Sequence, residues 1–426
     1  MPSDAEPDAG IVSDVIVVGG GMVGAMTALA FARCNMQVTV IEKQLPNAFD
    51  VEKHDIRVSA ISHATLQMFK SVGAWDAMQS TRACAYKRMQ VWDIASSAQT
   101  RFDSADAGFE QLGYIVENSL IQHALWQQLE QLDNVTFKCP ATVESLDLQQ
   151  NAALVTLDNG ERLQAGLVVA ADGSQSTVRE LAGIKVDGET YQQHALVATV
   201  KTELPQQDIT WQRFTDTGPQ AFLPLVGNRA SMVWYHSQAR IAELKSLSES
   251  DFIAAMHDEF PQQLGKVLSI EQRGSFPLNW SHARQYVKPR FALVGDAAHS
   301  VHPLAGQGVN LGMLDAATLV QCVVDEAERR PSANKGPGDI RVLRRYERWR
   351  KPSNQLMIRM LDGIQKVFQP PMESELQNGV LRVARTTALR LADKVEPINK
   401  ICIRTAMGMT GELPDFVRGR LPGVSD

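Results

Sequence analysis

Cysteine is scarce in this chain of 426 residues, and what there is does not pair. Cys34, Cys84, Cys139, Cys322 and Cys402 are odd in number, scattered and form no C-x-x-C. That argues against a disulfide framework and against a metal centre, and it fits a reducing, cytoplasmic setting. A basic block is missing too, and the net charge is −6, so nucleic acid is not an expected partner. Met1 to Asp14 is acidic and polar, which is no secretory signal. Val15 to Ala32 has the length of a membrane span, but Gly19, Gly20, Gly21 and Gly24 interrupt it. A strand, a turn and a helix are expected there, and no transmembrane segment.

What the chain does have is a dense run from Phe291 to Gly312. Phe291 to Val294 suits a buried strand, Gly295-Asp296 turns the chain, and Ala305-Gly306-Gln307-Gly308 leads into an amphipathic helix from about Val309 to Ala327. Glycines beside a helix start let the backbone approach a ligand, and the first N–H groups of the helix remain free to face it. A carboxylate at a strand end beside that helix start suits a cofactor carrying a polyol and an acidic ring.

A second glycine cluster opens the chain. Asp14 to Val18 reads as a strand, Gly19-Gly-Gly21-Met-Val-Gly24 as the turn and Ala25 to Cys34 as a helix. Gln37 to Glu42 is the next strand and ends in a carboxylate. This is G-x-G-x-x-G in a βαβ unit, with an acid in place to accept from a ribose. The pattern alone fits FAD or NAD(P). Farther on, Arg57 sits among small and apolar residues, Asn118 and Gln122 share a helix face, and Leu167 to Ala171 closes on Asp172-Gly173.

From Tyr191 to Pro277 the periodicity changes to two, with frequent aromatics, which predicts an antiparallel sheet with one buried face. The expected organisation is α/β. Residues 1–185 and 285–340 form a discontinuous nucleotide-binding domain, 186–284 an inserted sheet, and 341–426 a helical region. In the last, Met357, Met360, Leu361, Ile364, Val367 and Phe368 make one stripe, expected to pack on the first domain. Arg382, Arg385, Arg390 and Lys394 among apolar residues keep a membrane-surface role open.

Taken in order, Gly19-x-Gly21-x-x-Gly24, Asp172-Gly173 and Gly295-Asp296 with Pro303 and Gly306-Gln307-Gly308 resemble the flavin-dependent aromatic hydroxylases. Arg57-Val-Ser-Ala-Ile-Ser62, Val116-Glu-Asn118, His194 to Thr199, Ala221-Phe-Leu-Pro-Leu225 and His302 to Gly312 are similar to the hydroxylases of ubiquinone biosynthesis. The resemblance implies a glutathione-reductase-like FAD domain with an inserted substrate sheet, reduction by NAD(P)H, and transfer of one oxygen atom from O₂, through a flavin C4a-hydroperoxide, to a polyprenylated phenol or benzoquinol.

Residue by residue, the resemblance assigns Gly19, Gly21, Met22, Val23, Gly24, Glu42 and Lys43 to the ADP half of FAD. Arg57 and Asn118 fall near the pyrophosphate and ribityl chain, with Gln122 a neighbour by helix geometry, Gly295 and Asp296 at the ribityl hydroxyls, and Gly306, Gln307, Gly308, Val309 and Asn310 beside the flavin ring. Asp172 would bridge a flavin-side and a nicotinamide-side contact. Phe222, Pro224 and Trp234 are expected to line the substrate. The carbonyls of His302 and Pro303 are candidates to orient its ring, because proline fixes the backbone there. His299 is expected to be a structural hydrogen bonder, while His302 stays open between structural and catalytic roles.

Rival readings are a prenyl-chain reductase and a non-catalytic flavoprotein subunit of a lipid-biosynthetic complex. No C-x₄-C pair marks a disulfide reductase, and no W-x-W-x-I-P marks a halogenase. The ring position, the tail length, the choice between NADH and NADPH, homo-oligomerisation and a peripheral seat at the inner membrane are left open.

Overall fold

The computed structural model describes residues 11–96, 98–205, 207–261, 265–303, 306–329, 336–368 and 375–423. Its α/β architecture rests on two large sheets. In the first, five strands run parallel in the order Phe291–Leu293, Arg162–Ala170, Ile11–Val18, Val38–Ile41 and Val135–Lys138. Their residues are nearly all apolar because both faces are covered, and Val15, Ile16 and Val17 are fully buried.

The helix Met22–Arg33 lies on one face and is buried almost all round. Its run of Ala25, Ala28, Ala30 and Ala32 lets it pack closely beside the helix Gly308–Arg329. Gly24 is required by the tight turn before the helix, since a Cβ there would lie 1.8 Å from the Gly19 carbonyl oxygen.

Parallel strands place their carboxyl ends on one edge, about 4.8 Å apart. Here that edge carries, side by side, the turns after Leu293, Ala170, Val18 and Ile41. Gly295-Asp296, Asp172-Gly173, the glycine turn and Glu42 are therefore neighbours, although the chain separates them widely. Ligands bind along such an edge in open α/β sheets.

The second sheet runs in the order His299–Ser300, Val267–Ala283, Val186–Thr202, Arg229–Ser237, Gly218–Leu225, Ile209–Thr215, Arg88–Asp93 and Gln99–Asp103. Its pairings are antiparallel except between Ile209–Thr215 and Arg88–Asp93, which run parallel. Strands from residues 88–103 and 299–300 thus cross the expected boundaries at 185 and 285. A parallel partner from a distant segment leaves no hairpin signal in the sequence. The helices Gln238–Ser246 and Glu249–Glu259 cover one face of this sheet, where Leu244, Phe252 and Met256 join its core.

The helix Ile340–Phe368 packs its first half into the core of the first sheet through Val342, Leu343 and Tyr346, and its apolar stripe reaches the second sheet as well. Ile358, Leu361 and Phe368 cluster with Phe214 of the second sheet and with Val301 and Leu311, and Phe368 stacks on Phe214 at 3.8 Å. Met360 falls outside this stripe and is 43% exposed. Among the described residues, no helix is long and apolar enough to cross a membrane.

Candidate active site

At the first glycine turn the backbone is held from three sides. Gly20 N–H donates to Glu42 Oε2 at 2.5 Å, while its carbonyl accepts from Gln122 Nε2 at 2.8 Å and Trp126 Nε1 at 2.7 Å. Gln122 therefore acts on the turn itself, and Trp126, which carries no motif, does the same. Gly19 has φ of +102°, and a Cβ there would strike the Ala171 carbonyl at 2.5 Å. Gly21 is different, because a Cβ on it would meet nothing within 4 Å. It is also the N-cap of the helix Met22–Arg33, so no side chain caps that helix start. Open space in front of free N–H groups at the positive end of a helix is what a pyrophosphate requires. Lys43 is exposed beyond Glu42.

The Asp172-Gly173 element closes locally. Asp172 Oδ2 accepts from Val178 N–H at 3.2 Å, its Oδ1 is buried without a partner, and burial raises its pKa. Arg179, buried in the short helix Thr177–Leu181 that follows, donates to the Ser174 carbonyl and to the Ala297 carbonyl, each at 3.0 Å. That guanidinium ties the second motif to the third. Its only trace in the sequence is an arginine just after a small-residue turn.

Gly295 adopts φ of +58° and packs on Val23, which also fills the space beside Gly312. Val23 is thus a wedge between two motifs. Asp296 is reachable by water yet sits in a concave recess, where loss of hydration raises its pKa against the opposing pull of His299 and Arg57. No described residue donates a hydrogen bond to its carboxylate. Arg57 is exposed and near enough to Asp296 to lower its pKa; its carbonyl accepts from Asn118 N–H at 3.0 Å, and Asn118 Oδ1 accepts from Ser59 at 2.7 Å.

The helix Gly308–Arg329 starts beside this recess, with Val309 in its first turn. Gly306, at φ of +61°, approaches Ala60, and Gln307 Nε2 donates to the Ala406 carbonyl at 3.5 Å. Asn310 is consumed within the protein. It accepts from Ser62 N–H at 3.0 Å and from Thr65 at 2.9 Å, and donates to the Ala60 carbonyl at 2.9 Å. It pins the helix start to the strand Val58–Ser62. Ala305, expected in this turn, lies outside the described residues.

His299 and His302 differ sharply. His299 Nε2 is 2.5 Å from Asp315 Oδ2, and both side chains are fully buried. His302 is 2% exposed, and neither ring nitrogen has a partner among the described residues. Tyr235 stacks on it at 5.6 Å and Tyr191 meets it edge-on at 5.0 Å. Burial pushes its pKa down to about 4 despite the Asp362 carboxylate, so the ring is neutral at pH 7. Pro303 follows directly.

The strand pleat corrects the expectation for Phe222, Pro224 and Trp234. Phe222 and Trp234 pack on Phe260, at 5.3 and 5.2 Å, beneath the two covering helices, and Pro224 shares their face by alternation. The opposite face, which carries Tyr235, presents Ala221, Leu223 and Val233. These three are half-buried, whereas Ser231, Leu225 and Tyr235 on the same face are buried. Large aromatics drew attention in the sequence because they are large, yet they make the sheet's closed core.

Comparison with known proteins agrees with this geometry. The profile of a family described as an FAD binding domain matches residues 12–360. The chain is 39% identical over 398 residues to 3-demethoxyubiquinol 3-hydroxylase of Escherichia coli K12, covering 93% of this chain and 99% of that one. It is 34% identical over 411 residues to the ubiquinone hydroxylase UbiL of Rhodospirillum rubrum, covering 96% and 93%. It is 32% identical to the human mitochondrial ubiquinone biosynthesis monooxygenase COQ6, covering 91% of each. Among solved structures, p-nitrophenol 4-monooxygenase PnpA of Pseudomonas putida superposes with a TM-score of 0.73 at 18% identity, covering 94% of this chain and 99% of that one. An FAD complex of Klebsiella pneumoniae HpxO gives 0.69 at 18%, with the same coverage. The glycine turns at one sheet edge, the open cradle at Gly21 and these matches lead to one statement: the chain belongs to the FAD-dependent hydroxylases of ubiquinone biosynthesis.

Proposed function

We propose that this hydroxylase acts on a polyprenylated phenol or benzoquinol whose ring lies between His302 and the half-buried face of the second sheet. The observation that carries this reading is His302: a neutral imidazole, boxed by Tyr191 and Tyr235, with neither ring nitrogen paired among the described residues. A buried polar group without a partner costs about 1–3 kcal/mol, which a ring hydroxyl would relieve. The backbone carbonyls of His302 and Pro303 can accept from the same hydroxyl and fix the ring. Leu223, Val233 and Ala221 supply an apolar wall that keeps water out.

The residues present fit FAD, as the open face of Gly21 and the undonated Asp296 carboxylate indicate. In this reading the free N–H groups after Gly21 hold the pyrophosphate, Glu42 accepts from the adenosine ribose, and Asp296 accepts from the ribityl chain. The first turn of the helix Gly308–Arg329 directs its positive end at the pyrimidine edge of the ring. When bound, FAD supplies the redox chemistry that joins NAD(P)H oxidation to O₂ activation. The architecture suits a glutathione-reductase-like FAD domain whose second sheet recruits the strands of residues 88–103.

A lipid-soluble substrate favours a peripheral seat on a membrane. Leu356, Met360, Val383, Leu391, Ile398 and Ile401 are exposed on the C-terminal helices, with Arg390 and Lys394 exposed nearby. Arg385 is not part of that surface, because it is buried against Asp93, and the side chain of Arg382 lies outside the described residues.

The test is turnover with short-tailed prenylphenol and methoxy-methyl-benzoquinol in parallel. His302→Phe should raise KM for the accepted ring at least tenfold while FAD binding is unchanged; an unchanged KM would remove His302 from the substrate site.

A further inference from the structure

We propose that Asp315 is the positioning residue for the Gly295-Asp296 turn, and that through it the helix Ile340–Phe368 sets where Asp296 stands against FAD. One fully buried carboxylate collects four donors. Oδ2 takes Gly295 N–H at 3.2 Å and His299 Nε2 at 2.5 Å, and Oδ1 takes Arg350 Nε at 2.8 Å and Asn354 Nδ2 at 2.9 Å. Two of the four come from the turn segment and two from the helix. The carboxylate therefore joins the turn to the helix, beside a second tie in which the Tyr346 hydroxyl donates to the Leu293 carbonyl at 2.7 Å.

The outer partners are themselves held. Arg350 Nη2 donates to Asn354 Oδ1 at 2.7 Å and reaches the Leu311 carbonyl at 3.4 Å, in the helix that starts beside the recess. Asn354 Nδ2 also lies 3.3 Å from the Tyr286 hydroxyl, which pairs with His282 Nε2 at 3.0 Å. Gly295 is the residue before Asp296, and its left-handed backbone is fixed on one side by Val23 and on the other by Asp315. Moving that N–H moves the recess carboxylate.

Stability alone does not call for such a cluster. Replacing a buried ion pair by apolar groups of similar volume is often neutral or stabilising. What apolar groups cannot do is hold the Gly295 N–H and the His299 ring at fixed places. Asp315 never reaches the recess itself, so it is not a catalytic residue.

This inference rests on Asp296 holding the ribityl chain, and the experiment separates the two. FAD dissociation constants and melting temperatures of the apo-protein would be measured for Asp315→Glu, for Asp315→Leu/Arg350→Met, for Asp296→Asn and for Asp315→Glu combined with Asp296→Asn. Asp315→Glu keeps the charge but displaces the carboxylate, and the apolar pair removes both charges together; if one fails to fold, the other decides. The expected result is a melting temperature near wild type, an FAD Kd raised at least tenfold, and no further loss when Asp315→Glu is added to Asp296→Asn. A folded Asp315 variant with wild-type Kd, or losses that simply add, would overturn the positioning role. Wild-type Kd in Asp296→Asn would instead overturn the ribityl reading on which it stands.

Discussion

Asp296 and Asp315 sit on either side of one turn and are opposites in chemistry. Asp315 is saturated: burial alone would raise its pKa, but His299 and Arg350, with hydrogen bonds from His299 and Asn354, hold it near 2. Asp296 has no donor among the described residues, and loss of hydration raises its pKa. The histidines differ by degree: His299 bonds Asp315 through Nε2 while its Nδ1 is unpaired, and neither ring nitrogen of His302 has a partner among the described residues. The contrast also separates the two faces of the second sheet, one closed over Phe222 and one half-buried at Leu223. Folding satisfies Asp315 in full and His299 at one nitrogen, and closes one face of the sheet. On the proposed reading, a ligand completes the other member of each pair.

The strongest way to break this contrast is at Asp296. Asp296→Ala should abolish tight FAD binding while the apo-protein stays folded, read by flavin content and circular dichroism. Flavin retained in full would mean that the undonated carboxylate faces nothing.

The sheet faces can be opposed directly. Phe222→Ala should cost about 3–5 kcal/mol of stability, as a cavity in a closed core, and leave KM unchanged. Leu223→Ala should reverse the pattern, with a raised KM and a smaller loss of melting temperature. If Phe222→Ala is the variant that changes KM, the assignment of faces is inverted.

For the histidines, pH is the probe. The His302 pKa is about 4 in the folded state against an ordinary 6.5, so the unfolded chain binds the extra proton between those values. Stability should therefore rise with pH across that window, by up to about 3 kcal/mol from this residue. His302→Phe should flatten the melting profile between pH 4 and 6.5. His282, also held down at about 4 by burial and by His299 and Lys351, would leave a residual slope. An unaltered profile would show that His302 is not buried neutral.

The smallest effect is expected at Glu42, which already accepts from Gly20 N–H. Glu42→Ala should weaken FAD by about 1–3 kcal/mol, through loss of a charged hydrogen-bonding partner. Unchanged affinity on titration would confine Glu42 to shaping the turn.

What was legible in the sequence is what local chemistry dictates. Glycine spacing, the acid after the second strand and Gly295-Asp296 each occupy a short stretch, and parallel strands brought them to one edge. Asp315 left a fainter trace, as an acid between Leu314 and Ala316 on the buried side of an amphipathic helix. Its partners Arg350 and Asn354 come from a different helix, and no periodicity links them. The strands of residues 88–103 were hidden for the same reason, since their pairing to Ile209–Thr215 is non-local. Which face the helices cover was not legible, because an alternating strand shows that two faces differ, not which of them is covered.

On the proposed reading, the half-buried face of the second sheet and the FAD edge together hydroxylate a prenylated ring. The most direct measurement reduces the purified flavoprotein with NADH or NADPH, adds a short-tailed prenylquinol and ¹⁸O₂, and weighs the product. The predicted result is one ¹⁸O atom in the ring, with NAD(P)H oxidation stimulated by the substrate. Oxidation of the reduced protein with no labelled product, across both ring types, would contradict the hydroxylase account and favour a reductase or a non-catalytic subunit.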